Sequence, residues 1–233
     1  MDINPSGILL IDKPIGWTSF DVVAKVRGGL KQLGVTKPKV GHAGTLDPLA
    51  TGLLIILVGS YTKKASAFSG LDKIYQAEVM LGSVSTTDDK EGVIKNTSTR
   101  IPSTEEIKNV LKQFLGESEQ VPPQFSAVKV NGKRAYKIAR EGKQPEIKPR
   151  NIKIYTISDI NYRYPTITFS ISVSSGTYIR SIARDIGEKL GTGAYLCKLV
   201  RTEIGNYKLT DAHQLQKLDL KNLSTSVNIN GNV

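Results

Sequence analysis

The sequence predicts an α+β fold. Two segments alternate apolar and polar residues as half-buried strands do, several others carry helix start and stop signals, and the two types do not alternate regularly along the chain. In chain order, Gly7–Lys13 reads as a buried strand, an apolar run bounded by Gly7 and Pro14. A helix is expected from Ser19 to about Leu30, followed by a second buried strand over Thr51–Gly59. Asp72–Leu81 alternates, with Tyr75, Ala77, Val79 and Leu81 on one face. Ser103 and Glu106 form a capping box ahead of Ile107, Val110, Leu111, Phe114 and Leu115, and Gly116 closes that helix. Pro122-Pro123 opens a stretch in which Asn131-Gly132 is a hairpin-turn signal. Thr166–Val173 alternates with Ile167, Phe169, Ile171 and Val173 inward. The final helix, Tyr178–Leu190, turns Ile179, Ile182, Ala183, Ile186 and Leu190 inward and stops at Gly191. Beyond Leu220 the chain is polar and unperiodic, so 221–233 is expected to be a disordered tail.

Composition narrows the class. The 233 residues, 39% hydrophobic and 23% charged, exclude a wholly disordered chain, a collagen-like repeat and a coiled coil. The longest apolar run, Leu53–Val58, falls far short of the roughly 20 residues of a membrane-spanning helix. Met1–Asp12 has no basic stretch ahead of its short apolar run, so no signal peptide is expected and a cytoplasmic location is. A single cysteine, Cys197, with His42 and His213 makes a poor ligand set, so no disulfide and no metal are expected.

The net charge of +11 is concentrated. Val22–Leu46 holds five basic residues (Lys25, Arg27, Lys31, Lys37, Lys39) and no acid. Val121–Lys153 holds nine (Lys129, Lys133, Arg134, Lys137, Arg140, Lys143, Lys148, Arg150, Lys153) against Glu141 and Glu146. Charged runs often do no more than solvate a surface. Two segments that carry the whole excess fit the footprint of a polyanion better, and nucleic acid is the expected partner.

The densest local signal is Gly41-His42-Ala43-Gly44-Thr45-Leu46-Asp47-Pro48-Leu49-Ala50-Thr51-Gly52, a tightly turned loop between the first basic segment and a buried strand. Taken alone, an Asp before Pro is a turn former or a helix cap. The stretch resembles the active-site motif of the bacterial tRNA pseudouridine-55 synthases, the TruB family. Gly7 to Pro14, Lys73-Ile74-Tyr75, Pro122 to Lys129, Gly176-Thr177-Tyr178-Ile179-Arg180 and Gly191-Thr192-Gly193-Ala194 resemble the family's other blocks in the family's order. The resemblance implies the pseudouridine-synthase catalytic fold: a mixed, mainly antiparallel central sheet flanked by helices and loops.

It also implies the chemistry. Pseudouridine formation breaks the C1′–N1 bond of a uridine, turns the uracil and rejoins it through C5. As an isomerisation it needs no cofactor. By resemblance Asp47 is the nucleophile, attacking C6 of the uracil or C1′ of the ribose. An enclosing pocket disfavours an ionised carboxylate, and a fixed cation restores it. The resemblance assigns that role to Arg180, which is expected at the head of a helix with the apolar face turned away from it. Tyr75, by itself a half-buried strand tyrosine, is placed against the target uracil and is a candidate acceptor for the C5 proton. Tyr178 lines the same pocket, Leu199 supplies an apolar wall, and His42 enters the RNA loop near the extruded nucleotide.

The implied partner is the T-stem loop of tRNA, with no membrane and no protein partner required. Residues 1–220 are expected to form the catalytic domain. An RNA-clamping insertion at about 123–150 would contribute Lys133 and Arg134 to substrate binding. Relatives continue into a C-terminal domain of the PUA type, which is expected to be absent. A noncatalytic RNA-binding or RNA-chaperone protein on the same scaffold is the alternative function.

Overall fold

A computed structural model describes residues 5–218, so the expected tail at 221–233 lies outside the described residues. The chain divides into two compact units, one from the described residues of Met1–Ile74 and Val200–Val233, the other from Tyr75–Leu199. The fold is α+β, with mixed but mainly antiparallel strand pairing.

The first unit opens with strand β1 (Gly7–Lys13), helix α1 (Ser19–Gln32), β2 (Val40–Ala43), β3 (Thr51–Val58) and the short helix α2 (Ala65–Ser69). A near-continuous apolar sequence suits β3 to a strand buried on both faces, and Leu53 to Leu57 are fully buried. β1 pairs antiparallel with one edge of β3, Ile11 opposite Leu54, and β2 pairs antiparallel with it, His42 opposite Ile56. α1 starts on a capping box, with Thr18 as N-cap and Asp21 closing the reciprocal bond, and buries Val22, Val23, Val26 and Leu30. Ile8, Ala43, Leu53, Ile55, Leu57, Phe68 and Ile204 form this unit's core.

The unit boundaries fall inside β4 (Lys73–Leu81) and, later, inside β12. Between them the second unit adds β5 (Ser83–Ser85), β6 (Ile94–Asn96), α3 (Thr104–Lys112), β7 (Gly116–Gln120), β8 (Lys129–Val130), β9 (Lys133–Arg134), α4 (Ala135–Arg140), β10 (Arg150–Arg163), β11 (Thr166–Val173), α5 (Ile179–Leu190) and β12 (Ala194–Ile204). β4, β11, β10 and β7 lie side by side in that order. The expected alternations hold: Tyr75, Ala77, Val79 and Leu81 are buried on β4, and Ile167, Phe169, Ile171 and Val173 on β11. The Ser103–Glu106 capping box starts α3 as expected, and Gly191, left-handed at φ 65°, ends α5. The Asn131-Gly132 signal is also met, with both residues at positive φ joining β8 to β9.

The chain then returns to the first unit with β13 (Tyr207–Lys208), antiparallel to the end of β12, and β14 (His213–Gln214), parallel to β1. The first residues of β12 to re-enter this unit, Val200 and Arg201, pair parallel with Thr51 and Gly52 of β3. Gly52 has φ 100°, and a Cβ there would lie 2.4 Å from the Arg201 carbonyl oxygen, so this close pairing requires glycine.

Candidate active site

In the first unit the Gly44–Ala50 turn carries Asp47 half-buried between β2 and β3. Its backbone is held from several directions. Arg201, 1% exposed, donates from Nη2 to the Gly44 carbonyl at 3.0 Å, from Nη1 to Thr45 at 3.4 Å and from Nε to Leu53 at 2.8 Å. Ser19, at the start of α1, grips the residue preceding Asp47 at both polar atoms. The Leu46 N–H donates to Ser19 Oγ at 2.9 Å, and Ser19 Oγ donates to the Leu46 carbonyl at 3.2 Å. The Gly16 N–H reaches the Pro48 carbonyl at 2.8 Å, and the Ala50 N–H closes on the Asp47 carbonyl at 3.0 Å. A loop so bonded has few conformations left, and the Asp47 side chain starts from a fixed base. Buried Lys13 steadies the turn before α1 by donating to the Pro14 and Trp17 carbonyls at 3.0 and 2.7 Å.

His42 lies on β2 just ahead of the loop, with its ring 5.9 Å from Phe20 in an edge-on contact. Burial, then the charge of Arg201, lowers its pKa, so the imidazole is neutral at pH 7. Its buried Nδ1 has no hydrogen-bond partner among the described residues. Lys73 donates to the Ser69 carbonyl at 2.6 Å and to that of Leu71. Burial and Arg201, opposed by Asp72, bring its pKa down to about 8.

In the second unit Tyr75 is 7% exposed on β4 and Leu199 equally buried on β12. Tyr178 is the N-cap of α5. Its N–H donates to Gln120 Oε1 at 2.8 Å, its carbonyl accepts from Gln120 Nε2 at 3.1 Å, and the Arg150 guanidinium stands 5.4 Å from its ring centre.

Arg180, in the first turn of α5, is 4% exposed, with Ile179, Ser181 and Ile182 buried beside it. Its guanidinium donates to the carbonyls of Thr87 at 3.1 Å and Phe125 at 3.0 Å and lies 3.4 Å from the buried Asp89 carboxylate. Asp89 is fixed in turn by Thr87 Oγ1 at 2.6 Å and the Glu91 N–H at 3.0 Å. Such a cation is locked in orientation and lies out of water, where its field is least screened. Beside it, burial raises the Asp88 carboxyl's pKa against the opposing charges of Arg184 and Arg180.

Lys133 and Arg134 are exposed on β9. Lys133 pairs with Glu141, and Arg134 donates to the Ala127 carbonyl. Exposed pairs of this kind are weak enough to be exchanged for a phosphate.

The chain matches the family model described as TruB family pseudouridylate synthase, N-terminal domain, over residues 31–179. It belongs to the TruB family. Residues 180–226 match the model of the tRNA pseudouridylate synthase B C-terminal domain. Among relatives, tRNA pseudouridine synthase B of Clostridium kluyveri is 46% identical over 217 residues, 93% of this chain and 73% of that protein. The protein of the same name from Chloroherpeton thalassium is 44% identical over 227 residues, 96% of this chain and 94% of that one. Two solved structures are similar. One is a Cbf5-Nop10-Gar1 complex, with TM-score 0.69 and 31% identity over 91% of this chain and 53% of the solved chain. The other is an H/ACA RNP bound to a substrate RNA containing 2′-deoxyuridine, with TM-score 0.66 and 28% identity over 91% and 52%. This chain thus spans about half the length of those solved chains.

Within the TruB framework, the residues that sequence reasoning missed are the supporting ones: Ser19, Arg201, Gln120 and Asp89. Arg201 left a signal, a lone arginine within the otherwise largely apolar stretch Ala194–Ile204. The other three left none, because small and polar residues at helix starts and strand ends are common.

Proposed function

We propose that this protein converts uridine to pseudouridine at position 55 in the T-stem loop of tRNA, acting in the cytoplasm without cofactor or protein partner. The observation that carries the proposal is the Asp47 loop, a family motif whose flanking backbone is pinned by Arg201, Ser19 and Gly16. A nucleophile in a base-flipping enzyme must meet a nucleotide delivered from solution, so its position has to be set before the substrate arrives.

In the proposed reaction Asp47 attacks C6 of the uracil or C1′ of the ribose, and the C1′–N1 bond breaks. The uracil turns and C1′ bonds to C5, the bond from Asp47 to C6 or C1′ breaks to give back the carboxylate, and the C5 proton leaves to the candidate acceptor Tyr75 while N1 gains one. Tyr75 stacks on the uracil, worth about 1 to 3 kcal/mol for such a contact, against a flipping cost of a few kcal/mol. Arg180 supplies the cation that an ionised nucleophile needs, Tyr178 and Leu199 line the base site, and His42 enters the RNA loop near the extruded nucleotide. Residues 1–220 act as the catalytic domain, and the stretch at about 123–150, with Lys133 and Arg134, holds the T-stem.

The experiment is tritium release from C5-labelled uridine in a tRNA transcript, paired with carbodiimide mapping of the product. Release with a single new stop at position 55 is expected from the purified protein alone. Tight tRNA binding without release would make the protein an RNA-binding or chaperone protein instead.

A further inference from the structure

The first unit contains a cleft of about 260 Å³ that the proposed chemistry does not use, its lining including Lys37, Lys39, Gly59, Ser60 and Lys63. Its walls are fixed. The Gly59 N–H donates to the Lys39 carbonyl at 2.9 Å, and the Ser60 N–H donates to Ser6 Oγ at 3.0 Å, so the turn after β3 is tied both to the segment before β2 and to the entry of the chain. Three lysines and no acid line it. All three are exposed, and none of their ammonium groups has an ion-pair or hydrogen-bond partner among the described residues, unlike those of Lys133 and Lys153, which pair with Glu141 and Glu117. Three like charges around one concavity repel one another, an arrangement that an anion relieves. Lys37 also has φ 53°, a left-handed conformation unfavourable for a residue with a Cβ and more so before proline. Strain of this kind is found at ligand clamps, where the surrounding structure holds it in place.

We infer that this cleft is a phosphate seat for the RNA backbone, formed by Lys37, Lys39 and Lys63. Ammonium groups bind phosphate as point charges with no demand on base identity, so the seat anchors the RNA without reading its sequence. Lys63 lies outside both basic segments of the sequence, and only the fold brings it to Lys37 and Lys39. The inference rests on the RNA-modifying function proposed above and adds a second point of attachment to it.

The test compares the full chain carrying Lys37→Ala, Lys39→Ala and Lys63→Ala with one carrying Lys95→Ala, Lys108→Ala and Lys112→Ala, which removes equal charge from exposed sites elsewhere. Affinity for tRNA is measured from about 50 to 200 mM salt. The cleft variant should lose roughly tenfold in affinity at 100 mM salt, and its log Kd against log salt slope should fall by about two, since each phosphate contact contributes about 0.7 to 0.9. Its kcat at saturating RNA should equal that of the wild type. An unchanged slope, or an equal change in the control variant, overturns the seat. Titration with inorganic phosphate separates the two sources of the anion: phosphate binding lost in the cleft variant with an unaltered RNA slope marks a small-anion site and likewise overturns it. Should the wild type bind tRNA without modifying it, the slope comparison still decides the seat, so failure of the activity and failure of the seat are distinguished.

Discussion

In the proposed site Asp47 supplies the chemistry and Ser19 the geometry. Asp47→Asn keeps the shape of the side chain and removes the proposed nucleophile, so turnover should vanish while tRNA affinity stays within a few-fold of wild type. Pseudouridine formation by the purified variant above roughly 1% of the wild-type rate would refute the assignment. Ser19→Ala has a different signature. It leaves the N–H and carbonyl of buried Leu46 without their partner, a loss of about 1 to 3 kcal/mol, and frees the residue that precedes Asp47. Single-turnover kinetics should show kcat down by tenfold or more with little change in Kd. A merely structural serine would lower the melting temperature and leave kcat at saturating RNA intact.

At the scale of elements, local signals and function separate cleanly. The Ser103–Glu106 capping box starts α3, remote in sequence from every proposed catalytic residue. Ser103→Ala should therefore cost about 1 kcal/mol of stability in urea unfolding with activity at permissive temperature unaltered. The β8–β9 hairpin and α4 present the opposite case. They give the second basic segment a definite structure whose exposed charges lie on a two-strand turn and a six-residue helix. Neutralising Lys133, Arg134, Lys137 and Arg140 together should flatten the salt dependence of tRNA binding. An unaltered slope would reduce this segment to a solvated surface. The first basic segment is less uniform than its composition suggests, because Arg27 donates to the Val40 carbonyl at 3.0 Å and ties α1 to β2.

For the whole molecule, buried basic groups shape the response to pH. Lys73 titrates at about 8 in the folded protein against 10.5 when solvated, because burial and Arg201 oppose its charge. Below pH 8 both states carry the proton and the folded state bears the full cost of the buried ammonium. Between about 8 and 10.5 the unfolded chain binds more protons, so this group's contribution to stability rises with pH. Cys197 works in the other direction: burial raises its thiol pKa, and stability falls as the unfolded thiol ionises first. The difference in unfolding free energy between wild type and Lys73→Met isolates the lysine, and it should move in favour of the wild type from pH 7.5 to 10. A difference independent of pH would show that Lys73 is not the titrating group.

What was legible in the sequence was what neighbours along the chain decide. Ser103 with Glu106, Asn131 with Gly132, and Gly191 act within one turn of backbone, and the alternation of β4 and β11 needs only a pleat with one buried face. The motif around Asp47 was legible for the same reason, as a contiguous string, and so was the family. β10 was missed because it is mostly exposed and shows no sustained apolar alternation, and pairing with β7 and β11 rather than burial makes it a strand. The supports of the site belong to the tertiary structure alone. Ser19 reaches Leu46 across 27 residues, Arg201 reaches Gly44 across 157, and Arg180 becomes buried because Thr87 and Phe125, distant in sequence, offer it their carbonyls. A charged side chain is excluded from the interior until the fold supplies polar partners for it, and that supply is a property of packing, not of any stretch of sequence.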